Sequence, residues 1–274
     1  VPALTTAGLG ARFRFILFTD DPALAAAADA AGVARVGVDI ESLGKAERQA
    51  NRPLLRLSGH RLEQLPAVRG RLRQAQALVR CNPLHPGTED EVGRALAAGA
   101  DVLMLPWFHT AAEAARFVEI VAGRAEVSLL VESPGALADV AAIARLPGIS
   151  DIVVGLNDLS LALGLPGPFA LAASPVLDRI AAAVHAAGVP FGFGGIADPE
   201  HHALPVAPQV AHARLAELGA TSAFVARSFS AGGLQAPLLA AGLERCRAEL
   251  DRWERAPLAD REACRLGIAG LIPA

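Results

Sequence analysis

Residues 127–164, VSLLVESPGALADVAAIARLPGISDIVVGLNDLSLALG, read as strand, helix, strand, helix. Val127 to Val131 are apolar and mostly β-favouring, and the run ends on Glu132. A Ser-Pro-Gly corner follows, with Ser133 placed to cap a helix whose first turn carries Pro134. That helix is expected over 135–145, with Leu137, Val140, Ala141 and Ala144 on one face, and Gly148 beyond its end. A second buried strand, Asp151 to Val154, stops at Gly155, and Asn157 and Asp158 open the next helix. Glu132 and Asp158 thus occupy equivalent places, each just past the carboxyl end of a strand. In a parallel sheet those ends are neighbours on one face. Two carboxylates held there suit a hard divalent cation that takes oxygen ligands. The alternative is a salt bridge at Glu132 and a helix cap at Asp158.

Working outward, the same unit recurs. Strands are expected at 13–18, 35–40, 77–80, 102–105, 190–195 and 221–226, and helices at 22–31, 61–76, 88–98, 111–121, 158–163, 174–187, 208–218 and 236–253. Eight strand-then-helix units with near-continuous apolar strands predict a closed parallel α/β barrel, a (β/α)8 TIM barrel. It would fill a single domain, 1–256, followed by a carboxyl-terminal helical extension, the tail 257–274, packing on the barrel or on a neighbouring subunit. A doubly wound sheet would want a glycine-rich phosphate loop after its first strand, and TDDPA (19–23) is not one.

The bulk numbers leave room for that barrel. The chain has 274 residues, 53% of them hydrophobic and only 19% charged, enough for a sizeable core. A net charge of −3 gives no reason to propose nucleic acid. Cys81, Cys246 and Cys264 are scattered, with neither a disulfide framework nor a metal spacing, so a cytoplasmic location is expected. No signal peptide is expected, because Arg12 and Arg14 precede a short mixed segment. The apolar runs are interrupted too early for a membrane span.

The segments LLVES (129–133) and GLNDLSLALG (155–164) resemble the metal-binding strands of the HpcH/HpaI aldolase and citrate lyase beta-subunit family. The resemblance implies that Glu132 and Asp158 bind Mg²⁺, Mn²⁺ or another divalent cation. It matches V-R-x-N at 79–82 to the arginine that grips the carboxylate of a 2-oxo acid. Arg80 ends an apolar strand, where a charge needs a partner or a ligand, and a guanidinium suits a bidentate carboxylate. Internal pairing with Glu41 or Glu132 is the alternative. Asp39 and Glu41 match the family's acidic D-x-E after strand two, but Ser42 stands where one branch has a His and the other an Asp. The proton-transfer group therefore does not carry over. His85 is the nearest substitute in sequence, unless it is ordinary surface. His109 is a weaker candidate, and His201-His202 reads as a surface pair.

Asn82 and Asn157 are further candidates for ligand contact. So is the P-W-F turn, where Pro106 and Trp107 resemble a family turn whose main chain approaches the ligand; Trp107 could equally make a subunit contact. The chain's only lysine, Lys45, lies outside any strand, and no Schiff base is required.

The resemblance implies a metal-dependent aldolase or carbon–carbon lyase acting on a 2-oxo acid such as pyruvate or oxaloacetate, with an aldehyde as possible partner. A citrate-lyase-like enzyme acting on acyl-CoA, as a lyase or thioesterase, is the second reading. A barrel that has lost catalysis and binds a metabolite is the third. The apolar tail (LGIAGLI, 266–272) has no obvious place in one barrel, so a homo-oligomer is expected; the alternative is that the tail folds back over the amino-terminal end of its own barrel. The family's trimers and hexamers point to the oligomer. Light scattering would then give a mass several times 28.2 kDa.

Overall fold

The computed structural model describes residues 7–45, 58–204, 206–230 and 234–270. Its strands are β1 (Arg14–Phe18), β2 (Arg35–Asp39), β3 (Gln76–Arg80), β4 (Val102–Leu105), β5 (Glu126–Val131), β6 (Asp151–Val154), β7 (Phe191–Ile196) and β8 (Ser222–Val225). All pair in parallel, each with the next, and β8 closes on β1. The closed parallel barrel expected from the sequence is therefore present. Its walls carry apolar residues on both faces because helices cover the outside, which is why the strands read as nearly continuous hydrophobic runs.

Alternation along these strands layers the interior. Arg35, Gly37 and Asp39 share one face of β2; Gln76, Leu78 and Arg80 share one face of β3. The middle layer is apolar: Ile16, Leu78, Val102, Met104, Leu130 and Val153 form their own cluster, apart from the core between sheet and helices. Below it, at the amino-terminal end, lies a charged floor. Arg35 is only 1% exposed and Asp151 is fully buried. Arg35 Nη1 lies 2.5 Å from Asp151, and its Nη2 lies 2.9 Å from Glu126. The Ser128 hydroxyl donates to the other Asp151 oxygen at 2.5 Å. Above the middle layer sit Asp39, Arg80 and, just past β5, Glu132.

Two expected helices are cut short, and beside each break an aspartate carboxylate accepts from a distant backbone N–H. The 61–76 segment holds only a 3₁₀ turn, Leu62–Gln64, and a helix, Leu65–Arg69. The Asp29 carboxylate accepts from Gln74 N and Ala75 N, fixing an extended approach to β3. The 135–145 segment splits into Pro134–Ala138 and Val140–Ile143 at Asp139, whose carboxylate accepts from Ala111 N. Ser133 does cap as expected, accepting from Ala136 N. A helix absent from the sequence reading, Pro168–Ala173, precedes Pro175–Ala186.

The carboxyl-terminal helical extension expected from the sequence is present. Residues Leu258–Gly270 are helical and pack against Pro208–Glu217 and Pro168–Ala173 of the same chain. Arg261 and Arg265 face Ala216 and Glu217. The tail thus has a place within one protomer, against the helices of its own barrel. Leu271 and Ile272 lie outside the described residues, as does 46–57 of the long connection. No helix among the described residues is long and apolar enough to cross a membrane.

One buried residue makes stability pH-dependent. His212, in Pro208–Glu217, is fully buried; its Nδ1 donates to the Pro208 carbonyl at 2.7 Å, and its Nε2 has no partner among the described residues. Burial lowers its pKa to about 4, although Glu249 and Asp198 pull the other way and Arg252 adds to the fall. The unfolded chain therefore binds this proton first. The stability is fully present above pH ~6.5 and drains away as pH falls toward 4, by about 3 kcal/mol in total. Urea titrations of wild type and His212→Phe at pH 7.0, 5.5 and 4.5 should show a shallower acid loss in the variant. Parallel losses would refute this.

Candidate metal and oxo-acid site

The carboxyl ends of the strands bring together residues far apart in sequence. β5 and β6 pair with Val131 opposite Val154. That register sets Glu132 beside Gly155, whose N–H bonds the Val131 carbonyl at 3.0 Å. Asp158 follows in the first turn of the helix Leu156–Ala162. Glu41, just past β2, completes a cluster. Glu41, Glu132 and Asp158 are all buried, and one carboxylate oxygen from each lies within 4.8 Å of the others. Burial drives the Glu132 carboxyl well above the usual range, Glu41 and Asp158 drive it further, and Arg80 and Lys45 only partly offset them. Three oxygen donors crowded this way fit a hard divalent cation, which takes oxygen ligands and relieves the repulsion between them.

The backbone is shaped to seat Glu132. Trp107 has a positive φ of 46°, costly for a bulky residue. Its N–H donates to Glu132 Oε1 at 3.2 Å. Opposite, a Cβ on Gly155 would stand 2.3 Å from Glu132 Oε2. Pro106 is buried beneath this turn, and Trp107 is half-buried with its ring edge-on to His109.

Asp39 and Arg80 are register partners on β2 and β3. Arg80 Nε and Nη2 grip the two Asp39 oxygens at 2.7 and 2.5 Å. Glu41 lies 3.5 Å from Arg80 Nε, and the guanidinium lies over the Phe18 ring. Burial would raise Asp39, but Arg80 and Lys45 bring it down to about 2. Burial works against the Arg80 charge, yet Asp39 first and Glu41 and Glu132 after it raise its pKa. The internal partner of Arg80 is thus chiefly Asp39, and its Nη1 edge makes no hydrogen bond among the described residues.

The sequence reading missed three members of this rim. Lys45 is buried, with Nζ 2.7 Å from Glu41 and 3.3 Å from Asp39. It is therefore a buried cation of the mouth. His60 accepts a hydrogen bond from Asp39 N at Nδ1, 3.1 Å away. Glu91 binds both the N–H and the side-chain amide of Asn82, at 2.9 and 2.7 Å. Asn82 Oδ1 in turn accepts from Ser42 N and Leu43 N, at 2.9 and 3.1 Å. The Asn82 amide thus clamps the turn after Glu41. An isolated histidine in a long connection and a glutamate in a helix's first turn carried no signal in sequence.

Other sequence candidates stand apart from the triad's contacts. His85 Nδ1 accepts from Gly87 N at 3.0 Å, and its Nε2 faces Glu91 at 3.5 Å. It lines a separate cavity of about 380 Å³ with Leu84, Thr88 and Arg116. Asn157 is exposed, and so is His109, whose N–H bonds Glu113. His202 is exposed but His201 is buried, so the two are not a surface pair.

The comparisons agree with this architecture. A family profile, HpcH/HpaI aldolase/citrate lyase, matches residues 14–213. No curated protein matches the sequence. An HpcH/HpaI aldolase/citrate lyase family protein from Burkholderia cenocepacia J2315 shares 22% identity, over 86% of this chain and 94% of that one, with a TM-score of 0.60. CitE from Mycobacterium tuberculosis, solved with magnesium and acetoacetate, shares 21% identity over 95% of this chain and all of its own (100%), with a TM-score of 0.56. An HpcH/HpaI aldolase from Desulfitobacterium hafniense DCB-2 shares 16% over 91% and 96%, with a TM-score of 0.57. At these identities the structures testify to the fold. The profile spans the barrel from β1 past β7, taking in all three clustered carboxylates, and on that ground this chain belongs to the HpcH/HpaI aldolase/citrate lyase family.

Proposed function

We propose that this chain is a divalent-metal-dependent carbon–carbon lyase or aldolase acting on a 2-oxo acid. The observation that carries the reading is the buried triad Glu41, Glu132 and Asp158. These three would hold Mg²⁺ or Mn²⁺. When bound, such an ion supplies electrostatic stabilisation for the negative charge that develops on the oxo acid as its carbon–carbon bond breaks or forms. The magnesium and acetoacetate named with the Mycobacterium tuberculosis CitE structure are consistent with this reading.

The remaining work falls to the chain. Arg80, aligned by Asp39, presents its Nη1 edge for the substrate carboxylate. Lys45 and the Asn82–Glu91 clamp hold Glu41 in place. Phe18 and Phe224, with ring centroids 5.5 Å apart, pack onto the apolar layer beneath the mouth. Ser42, bonded to Asn82, does not replace the His or Asp of related chains as a proton carrier.

A screen of oxaloacetate, pyruvate with assorted aldehydes, and acyl-CoA esters tests the reading. Turnover of a 2-oxo acid should require Mg²⁺ or Mn²⁺ and vanish with EDTA. Arg80→Lys should raise KM roughly tenfold or more, because the charge stays but the fork is lost. Turnover confined to acyl-CoA esters would favour the citrate lyase branch instead. No metal-dependent turnover of any 2-oxo acid would end the proposal.

A further inference from the structure

The last helix, Leu258–Gly270, is held loosely. None of residues 258–267 is buried, and only Arg261, Cys264 and Arg265 among them are half-buried. Leu258 and Leu266 are largely exposed. Arg261 Nη1 lies 3.5 Å from the Ala216 carbonyl and Arg265 Nε 3.9 Å from Glu217, both long contacts. The Nε atoms of both arginines are buried without a hydrogen-bond partner among the described residues, which works against docking. An element with so little buried apolar surface detaches at low free-energy cost. One of its two supports, Pro168–Ala173, also packs against Leu156–Ala162, the helix with Asp158 in its first turn. The Ala172 carbonyl in that support accepts from Arg214 Nε at 2.8 Å. Arg214 is itself buried, and its Nη1 reaches Glu217 at 2.8 Å, the same carboxylate that faces Arg265. Leu156–Ala162 also leans on β7, where a Cβ on Gly194 would stand 2.8 Å from Leu156 Cδ1.

We propose that docking of Leu258–Gly270 and binding of the divalent cation are coupled. The docked helix braces Pro168–Ala173, and that helix holds Leu156–Ala162 where Asp158 reaches the cluster with Glu41 and Glu132. The proposal rests on the reading of those three carboxylates as a metal site. Its two states are the tail helix docked and the tail helix released. Coupling between two such events is reciprocal, so the bound cation tightens the tail by the same factor by which the docked tail tightens the cation.

Cys264 supplies a reporter within the full chain. It is half-buried and packed against the core, whereas Cys81 and Cys246 are fully buried and react only on wider opening. Saturating Mn²⁺ should slow alkylation of Cys264 by iodoacetamide about fivefold or more, the scale of a typical coupling. The slowing should exceed that at Cys246 and vanish in Glu132→Ala. Arg265→Glu sets like charges face to face with Glu217, so it should speed Cys264 alkylation and weaken Mn²⁺ binding by calorimetry about fivefold. Removal of 258–274 serves the same end if Arg265→Glu leaves the tail in place. The comparison with and without Mn²⁺ needs no variant, so a chain that fails to fold does not close the test. Calorimetry on wild type checks the parent reading separately: without Mn²⁺ binding that reading falls and takes the coupling with it. If Mn²⁺ binds, equal alkylation rates with and without it, or equal slowing at Cys246 and Cys264, overturn the coupling alone. So does unchanged Mn²⁺ affinity in a folded variant whose tail is loosened or removed.

Discussion

Glu132→Ala and Asp158→Ala should each abolish divalent-ion binding while the far-ultraviolet circular dichroism stays that of the wild type. Each removes one of three clustered oxygens at the rim, above the packed middle layer of the barrel. Loss of even a supporting partner of a metal ligand costs roughly 10–100-fold in affinity, so loss of a ligand should exceed about 100-fold. Gly155→Ala should weaken binding through position alone. Its φ of −79° suits alanine, but the new methyl would meet Glu132 Oε2 at 2.3 Å and the Glu132 Cβ at 2.8 Å. Protons compete for the same oxygens. With the Glu132 carboxyl raised by burial, Glu41 and Asp158, affinity should climb as pH rises. Mn²⁺ calorimetry between pH 6 and 8 reads all of these effects. Unchanged affinity in both alanine variants would remove the metal from the account.

The second large effect belongs to the opposite end of the barrel. Asp151→Ala leaves the Arg35 guanidinium, 1% exposed, without its closest carboxylate, and the Ser128 hydroxyl without its acceptor. Breaking a buried pair from one side costs about 3–5 kcal/mol. Glu126 and Gln76 still touch Arg35, at 2.9 and 3.3 Å, which places the loss nearer the lower figure. For a chain of this size that corresponds to roughly 5 °C in Tm. Replacing the pair together, as Arg35→Met with Asp151→Leu, should recover much of the loss, since an apolar pair needs no solvation. A change below about 1 kcal/mol in Asp151→Ala, read by urea unfolding, would mean that water rather than Asp151 satisfies Arg35.

Helix boundaries show where local pattern stops being enough. The 61–76 and 135–145 segments have helical periodicity, yet both are interrupted where tertiary bonds from Asp29 and Asp139 reach Gln74, Ala75 and Ala111. Those partners lie 28 to 46 residues away in sequence. The choice between the tail's two expected positions was open for a related reason. Its docking surface is built by Pro168–Ala173, a helix that the sequence did not announce, together with Pro208–Glu217.

The repeating strand-and-helix pattern was sufficient for the parallel barrel, because strands covered on both faces must be apolar along their whole length. It was sufficient also for Glu132 and Asp158, since a charge that ends such a run has to sit at the rim. Which other side chains meet them depended on strand register and barrel closure. Glu41 is 91 residues from Glu132 in sequence, and it reaches the triad only because β2 and β5 open onto one mouth. Lys45, His60 and Glu91 lie in loops or a helix's first turn, where no periodicity marks them. The parallel sheet fixes their relation to Asp39 and Asn82, and with it the shape of the site.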